Sequence, residues 1–439
     1  MRLVGRVRSL LLRGGTGACL GWIEAMLRQF RSESRFLEES PEVVAASLRH
    51  LPGFVWLDTA GRCPEPDRDG AVSIMAACPT RVVRGHIADV SVLEEQMAGG
   101  ASGSMAGEWG EGQCGWFGWV DYEGGWEFGW YEQVLVYRHA TGEWLECGDL
   151  LSQRRDGKAG EVPRLVWEPG ICEEDYCGMV SRAQEYIGAG DIYQVNLAHR
   201  FSALWPAGAD PFALYLKLRE VSPAPCAAYM AGGERTVLSS SPESFLRMSG
   251  RSIRTRPIKG TRPRFADSVR DARSRGELLS SPKERAELVM ITDLLRNDLG
   301  MVCEYGSVRV TGLLQPEAYE QVHHLVSTVE GTLRGDVSHA AALKACFPGG
   351  SITGAPKKRA VEIIRELEPV PRGLYTGAIG YFGATGDSHF SIAIRTMVLE
   401  RGVISCHAGA GIVADSSPAA EWEETLQKAS GMLAAGRSS

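Results

Sequence analysis

Residues 281–300 read SPKERAELVMITDLLRNDLG. Ser281 can cap a helix, Pro282 suits its first turn, Glu284 completes a capping box and Gly300 ends it, so the stretch predicts a helix. Glu284 and Glu287 lie three residues apart and share the face that carries Ile291, which turns both acids inward. Residues 417–431, SPAAEWEETLQKASG, repeat the pattern with Ser417 as cap and Pro418 first. Glu421, Glu424 and Lys428 share one face there, and Glu423 points elsewhere.

Two E-x-x-E faces with no histidine at i+3 do not match a di-iron bundle, which uses Glu-x-x-His. They suit a hard cation such as magnesium, which takes one or two carboxylates, several waters and an anionic substrate group. Solvated acids on a helix surface would look the same.

Residues 255–264, TRPIKGTRPR, set Lys259 beside Gly260 and bracket it with Arg256, Arg262 and Arg264, with Arg251 and Arg254 just upstream. A free lysine titrates at about pH 10.4 and is a spectator charge at neutral pH. Burial among cations would lower that value toward the range of a nucleophile. A basic strand end or an anion-binding patch is the alternative. The segment FPGGSITGAPKKRAVEIIREL, 347–367, places a Gly-Gly-Ser turn directly before a helix with Pro356 near its start, where exposed amides would hold a carboxylate or phosphate. AGAGI, 408–412, suggests a second backbone cradle. Arg395, inside the apolar FSIAIRTMVL, needs an anionic partner if buried. Glu243 follows a Ser-Pro turn in SSSPESF, and His324 in VHHLVST fits a core histidine as well as a catalytic one.

The 439 residues, with 44% hydrophobic content, 52 Gly and 11 Trp, fit a turn-rich, sheet-containing enzyme. A net charge of −7 argues against a nucleic-acid binder, which needs a basic surface. The 11 cysteines form no C-x-x-C pair, so neither a zinc site nor a disulfide framework is expected, and a reduced cytoplasm is the natural compartment. No apolar run reaches membrane-spanning length. The first 23 residues hold four Arg and no acid, faintly like a targeting segment, but their apolar run is too short for one. Strand-length runs GFVWLD, AVSIMAA and QVLVYR precede a charged break at 152–162. After it, Tyr176, Met179, Val180, Ala183 and Ile187 mark a helical face, followed by a strand-like IYQVNLA. The chain divides on this reading into an N-terminal extension 1–33, an N-terminal region 34–162 and a catalytic region 163–439.

From about 174 to 430 the chain resembles the chorismate-utilising family of anthranilate, isochorismate, salicylate and aminodeoxychorismate synthases. The likeness rests on GDIYQVNL, SSPESF, PIKGTRPR, KERAELVMITDLLRNDLG, HHLVSTVEG, FPGGSITGAPK, LYTGAIGYF, AIRT and GAGIVADSSPAAEWEET. The resemblance implies an α/β fold of two large antiparallel sheets packed as a sandwich, with helices outside and a cleft between lobes. It implies that Gln194 stands where water-adding members carry a lysine base, and that Lys259 marks the aminodeoxychorismate branch, since anthranilate synthases usually carry alanine there. Lys259 would then attack C2 of chorismate, and Glu243 as general acid would protonate the leaving C4 hydroxyl. Ammonia at C4 would expel the lysine and give 4-amino-4-deoxychorismate. Glu287 and Glu424 would hold Mg2+, supported by Glu284 and Glu421. Tyr375, Arg395, Gly409 and Gly411, with Ser351 and Thr353 nearby, would hold the enolpyruvyl carboxylate. Lys428 and His324 would lie near the ring carboxylate and metal, and Gly260 and Thr261 would line the pocket. An anthranilate synthase large component, or a silent chorismate-binding homologue, are the alternatives. FLEES, 36–40, only distantly resembles the family's feedback segment, so no amino-acid regulatory site is expected. GQCGW, 112–116, superficially fits a glutaminase nucleophile turn, but no histidine is followed by x-E, so ammonia is expected from a separate glutaminase subunit.

Overall fold

The runs that read as strands fold as strands: GFVWLD gives Val55–Asp58, AVSIMAA gives Val72–Ala76 and QVLVYR gives Val134–Arg138. Their β-branched and aromatic residues fit a pleated, half-buried surface. The computed structural model describes residues 33–35, 37–59, 71–100, 114–319 and 321–437. The Arg-rich stretch 1–23, read as an N-terminal extension, lies outside the described residues, as do Phe36 of FLEES and the first two residues of GQCGW.

The described strands build two large antiparallel sheets. One runs in spatial order through Glu33–Arg35, Glu143–Cys147, Val134–Arg138, Val72–Ala76, Val55–Asp58, Cys226–Gly232, Arg235–Ser241, Thr396–Glu400, Val403–Ile412, Gln194–Leu204 and Gly354–Ala355. The other runs through Ile258–Pro263, Val322–Thr332, Ser252–Thr255, Ser244–Ser249, Asp387–Ile392, Ala378–Gly383, Gly115–Val120, Gly125–Tyr131 and Arg81–His86. Val55–Asp58 pairs with Cys226–Gly232, and Gly115–Val120 pairs with Ala378–Gly383, so each sheet takes strands from either side of residue 162.

Side chains from both sheets interdigitate between them. Val55, Ile74, Met230 and Val237 from one meet Phe117, Trp119, Ile379 and Tyr381 from the other. Helices cover the outside. The Glu173–Gly188 helix buries Tyr176, Met179, Val180 and Ala183, the face its spacing predicts. The Pro282–Gly300 helix begins and ends as read from the sequence, but its capping box is half made. Ser281 Oγ accepts from Glu284 N, whereas Ser281 N donates to Leu278 O, leaving the Glu284 carboxyl available to the cleft.

Three local expectations are corrected. Ser417 occupies the cap position of the Pro418–Ala435 helix without a side-chain cap bond. Its neighbour Ser416 does the bonding, accepting from Val413 N and donating to Glu421. The Gly-Gly-Ser turn at 349–351 does not open the following helix. Gly354 and Ala355 first pair with Val195 and Gln194, and the helix Lys357–Leu367 starts only after Pro356. AGAGI is part of a strand, held in register with Gln194–Leu204, and is not a loop cradle.

Phe117 is 1% exposed and sits 5.5 Å from the rings of both Tyr131 and Tyr381. Phe117→Ala should therefore cost about 3–5 kcal/mol. The readout is the urea unfolding midpoint, and an unchanged midpoint would mean the sheets do not depend on this ring.

Candidate active site

Lys259 lies on Ile258–Pro263, at the edge of its sheet, and reaches across to the Pro282–Gly300 helix. Its Nζ is 2.7 Å from Glu287 Oε1. Glu287 Oε1 also accepts from Gln194 Nε2 at 2.9 Å, so one carboxylate joins strands from both sheets. Burial pushes the Lys259 ammonium down, but the Glu287 ion pair, with Glu243 and Glu424 beyond it, leaves its pKa above the usual lysine value. This corrects the expectation of an amine ringed by cations. Arg256 pairs with Glu317, Arg262 bonds its neighbour's carbonyl at Thr261, Arg264 bonds Tyr319 O, and carboxylates face the amine instead.

Gly260 makes this reach possible. Its φ is +69°, and an added Cβ would lie 2.6 Å from Leu278 Cδ1. The strand register slips between Lys259 and Thr261 at this point. His324 sits beside the slip on Val322–Thr332, with Nδ1 3.1 Å from Thr261 Oγ1 and 3.2 Å from Gly260 O. Burial lowers its pKa to about 4, so the ring is neutral and holds the Gly260–Thr261 turn.

Glu243 follows Arg235–Ser241 and is buried. Burial raises its pKa to about 7 against the opposing pull of a Ser351 hydrogen bond and the Lys259 charge, so near neutrality it is an available acid. Ser351 Oγ donates to Glu243 Oε1 at 2.6 Å. Thr353, fully buried, donates to Gly349 O and shapes the turn instead of facing the cleft.

The four helix glutamates converge electrostatically. Burial and the Glu287 charge raise Glu284, with Glu424 adding to them. Burial raises Glu421 as well, opposed by Ser416 and reinforced by Glu424. Glu421 Oε2 is buried without a hydrogen-bond partner. Glu424 pairs with Lys428 at 2.7 Å, and Lys428 also donates to Gly409 O at 3.0 Å. Among the described residues no three or more acidic, imidazole or thiol groups come together in a way that could hold a metal ion. One carboxylate from each helix, sharing an ion with water and an anionic substrate, is the most these side chains would offer magnesium.

Arg395 is half-buried with φ +49°, and among the described residues no carboxylate lies within ion-pair distance of it. Burial alone pulls its pKa down. A partly desolvated guanidinium with no carboxylate beside it leaves room for an anion. Tyr375 stacks on His407, centroids 5.2 Å apart, and its hydroxyl is close enough to Gly409 that a Cβ there would meet it at 3.0 Å. A Cβ on Gly411 would strike Gln194 Nε2 at 2.5 Å.

Two further residues belong to the site. Asn196 lies two positions from Gln194 on the same strand, and its side chain reaches the Tyr375 hydroxyl, a placement that the period of two makes readable. Arg372 forks Glu368 at 2.6 and 2.8 Å and bonds the carbonyls of Asn196 and Ile352, clamping three walls of the cleft. No pattern around it announces that role. Cys114 of GQCGW is buried, and its thiol is pushed up by contact with Cys147 and by burial, opposite to what a nucleophile needs.

Comparison with known proteins adds the following. The family model described as chorismate binding enzyme matches residues 89–434. Anthranilate synthase component 1 of Streptomyces coelicolor is 48% identical over 272 residues, 62% of this chain and 53% of that protein. Aminodeoxychorismate synthase component 1 of Klebsiella aerogenes is 48% identical over 268 residues, 61% of this chain and 59% of that protein. These matches thus span only between half and three fifths of the length of either relative. The crystal structure of anthranilate synthase component I from Streptococcus pneumoniae superposes with a TM-score of 0.73 at 31% identity, covering 82% of this chain and 92% of that one.

Gly260→Ala should force both a strained φ and a clash. A cost of about 1–3 kcal/mol is expected, read as a lowered thermal midpoint. A midpoint equal to the parent's would mean the turn relaxes without this glycine.

Proposed function

Because the chain belongs to the chorismate-binding enzyme family, we propose that it converts chorismate and ammonia to 4-amino-4-deoxychorismate. The observation that carries the reading is Lys259, with Nζ directed into the cleft against Glu287 and within electrostatic reach of the protonatable Glu243. An amine nucleophile and a carboxylic acid on one pocket suit addition at one ring carbon with departure of hydroxide from another.

In this reading the Lys259 ammonium passes a proton to Glu287, and the neutral amine adds to C2 of chorismate. The ring double bonds shift, and the C4 hydroxyl leaves as water with the proton from Glu243. Ammonia then adds at C4, the double bonds shift back, and the C2–N bond breaks to release the lysine. The enolpyruvyl ether is not cleaved. Arg395 and Tyr375 bind the enolpyruvyl carboxylate, Arg395 having no other anion near it. Neutral His324 keeps the Lys259 turn in place. Glu287 and Glu424, with Glu284 and Glu421 behind them, are the residues that would hold Mg2+. The ion, when bound, neutralises the ring carboxylate among these acids.

Ammonia would come from a separate glutaminase subunit, and the product would feed 4-aminobenzoate and folate synthesis in the cytoplasm. Among the described residues no helix is long and apolar enough to cross a membrane. Anthranilate synthesis is the second reading, favoured by relatives of that name at the same 48% identity.

Incubating the protein with chorismate, magnesium and ammonium, followed by mass spectrometry, separates the two. The expected product is aminated and keeps the enolpyruvyl group, and Lys259→Ala should lower its formation roughly 10²- to 10⁴-fold. Anthranilate with pyruvate would overturn the reading. Glu243 is needed protonated, so kcat/KM should fall as pH rises through about 7. Glu243→Gln should abolish turnover, and a variant that retained both activity and the alkaline limb would remove Glu243 from the acid role. Stripping divalent ions should stop turnover, and added magnesium should restore it.

A further inference from the structure

We propose that Ser351 is a positioning residue for Glu243, fixing the acid's proton on Oε2 and stabilising the carboxylate left after that proton departs. The inference rests on the reading of Glu243 as the acid that protonates the C4 hydroxyl. Sequence resemblance put Ser351 beside the enolpyruvyl carboxylate, and its geometry argues for a different task. Its hydroxyl donates to Glu243 Oε1 at 2.6 Å, and both side chains are buried.

Each partner is held by its own backbone. Glu243 N donates to Ser241 Oγ, Ile392 N donates to Glu243 O, and Ser241 Oγ donates to Ile392 O at 2.6 Å. The Ser351 turn is held by Thr353 Oγ1 on Gly349 O at 2.9 Å and by Arg372 Nη1 on Ile352 O at 3.1 Å. A hydroxyl so anchored cannot follow the carboxyl if it rotates. With Oε1 accepting from Ser351, the proton of the neutral acid resides on Oε2.

Transfer then balances simply. The Oε2–H proton passes to the leaving oxygen, water departs, and Glu243 remains as the anion. A hydrogen bond to a carboxylate is stronger than one to the neutral acid, so the Ser351 contact tightens as the proton leaves. Lys259 is the charged group that acts on Glu243 from the packed elements among the described residues, and it also favours the anion. Ser351 therefore trades some acid population at neutral pH for a better-stabilised conjugate base.

The test is steady-state kinetics of Ser351→Ala, Ser351→Cys and Ser351→Thr at saturating ammonium across pH, with thermal midpoints as a folding control. Cys keeps the side chain's size with only a weak donor, so it answers the question if the Ala variant is unstable. Losing the donor should lower kcat roughly 10- to 100-fold and leave KM for chorismate within about twofold. It should also move the alkaline limb up by roughly one pH unit, and Thr should restore both. A raised KM with kcat and limb unchanged would overturn the proposal and return Ser351 to the substrate carboxylate. Turnover by Glu243→Gln would fail the underlying reading itself, whatever Ser351 does.

Discussion

The carboxylate of Glu287 is the point on which the cleft turns. It takes the Lys259 ammonium from the edge of one sheet and the Gln194 amide from near the edge of the other, while itself belonging to a helix outside both. Buried charges cost several kcal/mol each unless paired, so this three-way contact is tolerable only when strand, strand and helix keep their relative positions. Lys259, Gln194 and the Glu284 face are thereby aligned by one requirement. The same requirement fits the left-handed bend at Gly260 and the close approach at Gly411, where an added Cβ would displace the Gln194 amide, since both lie where the helix acids approach the sheets.

How much of this was readable depends on how local each cause is. The Pro282–Gly300 helix was legible because Ser281, Pro282 and the 3.6-residue spacing act within a few residues of one another. The buried face of Glu173–Gly188 was legible for the same reason. The Lys259 environment was misread because its arginine neighbours in sequence find partners elsewhere, and the groups that face the amine come from residues 243, 287 and 424. Nothing in a ten-residue window reports those distances. The sandwich itself came from resemblance alone, since composition and periodicity suggest strands without saying how two sheets pair.

The turn at 349–355 shows a similar limit. Gly-Gly-Ser before a Pro-led helix reads as an anion cradle, yet pairing with the strand through Gln194 draws Gly354 and Ala355 away first. The result turns Ser351 toward Glu243 instead of leaving its amide at a helix end. Arg372 belongs to the same story. Its guanidinium ties the turn to the Asn196 strand and to Glu368, so a residue with no local signature holds together positions that the sequence motifs mark separately.

Arg395 carries the last consequence. Folding takes part of the water from its guanidinium and holds the residue in a left-handed backbone conformation, with no carboxylate among the described residues to compensate. The fold thus begins the dehydration of this cation before any ligand arrives. An incoming carboxylate meets a partner already partly desolvated, so its own binding has less solvent to remove. The same arrangement makes the unliganded molecule the more strained one, and occupancy of the cleft a source of cohesion for the two sheets as much as a prelude to chemistry.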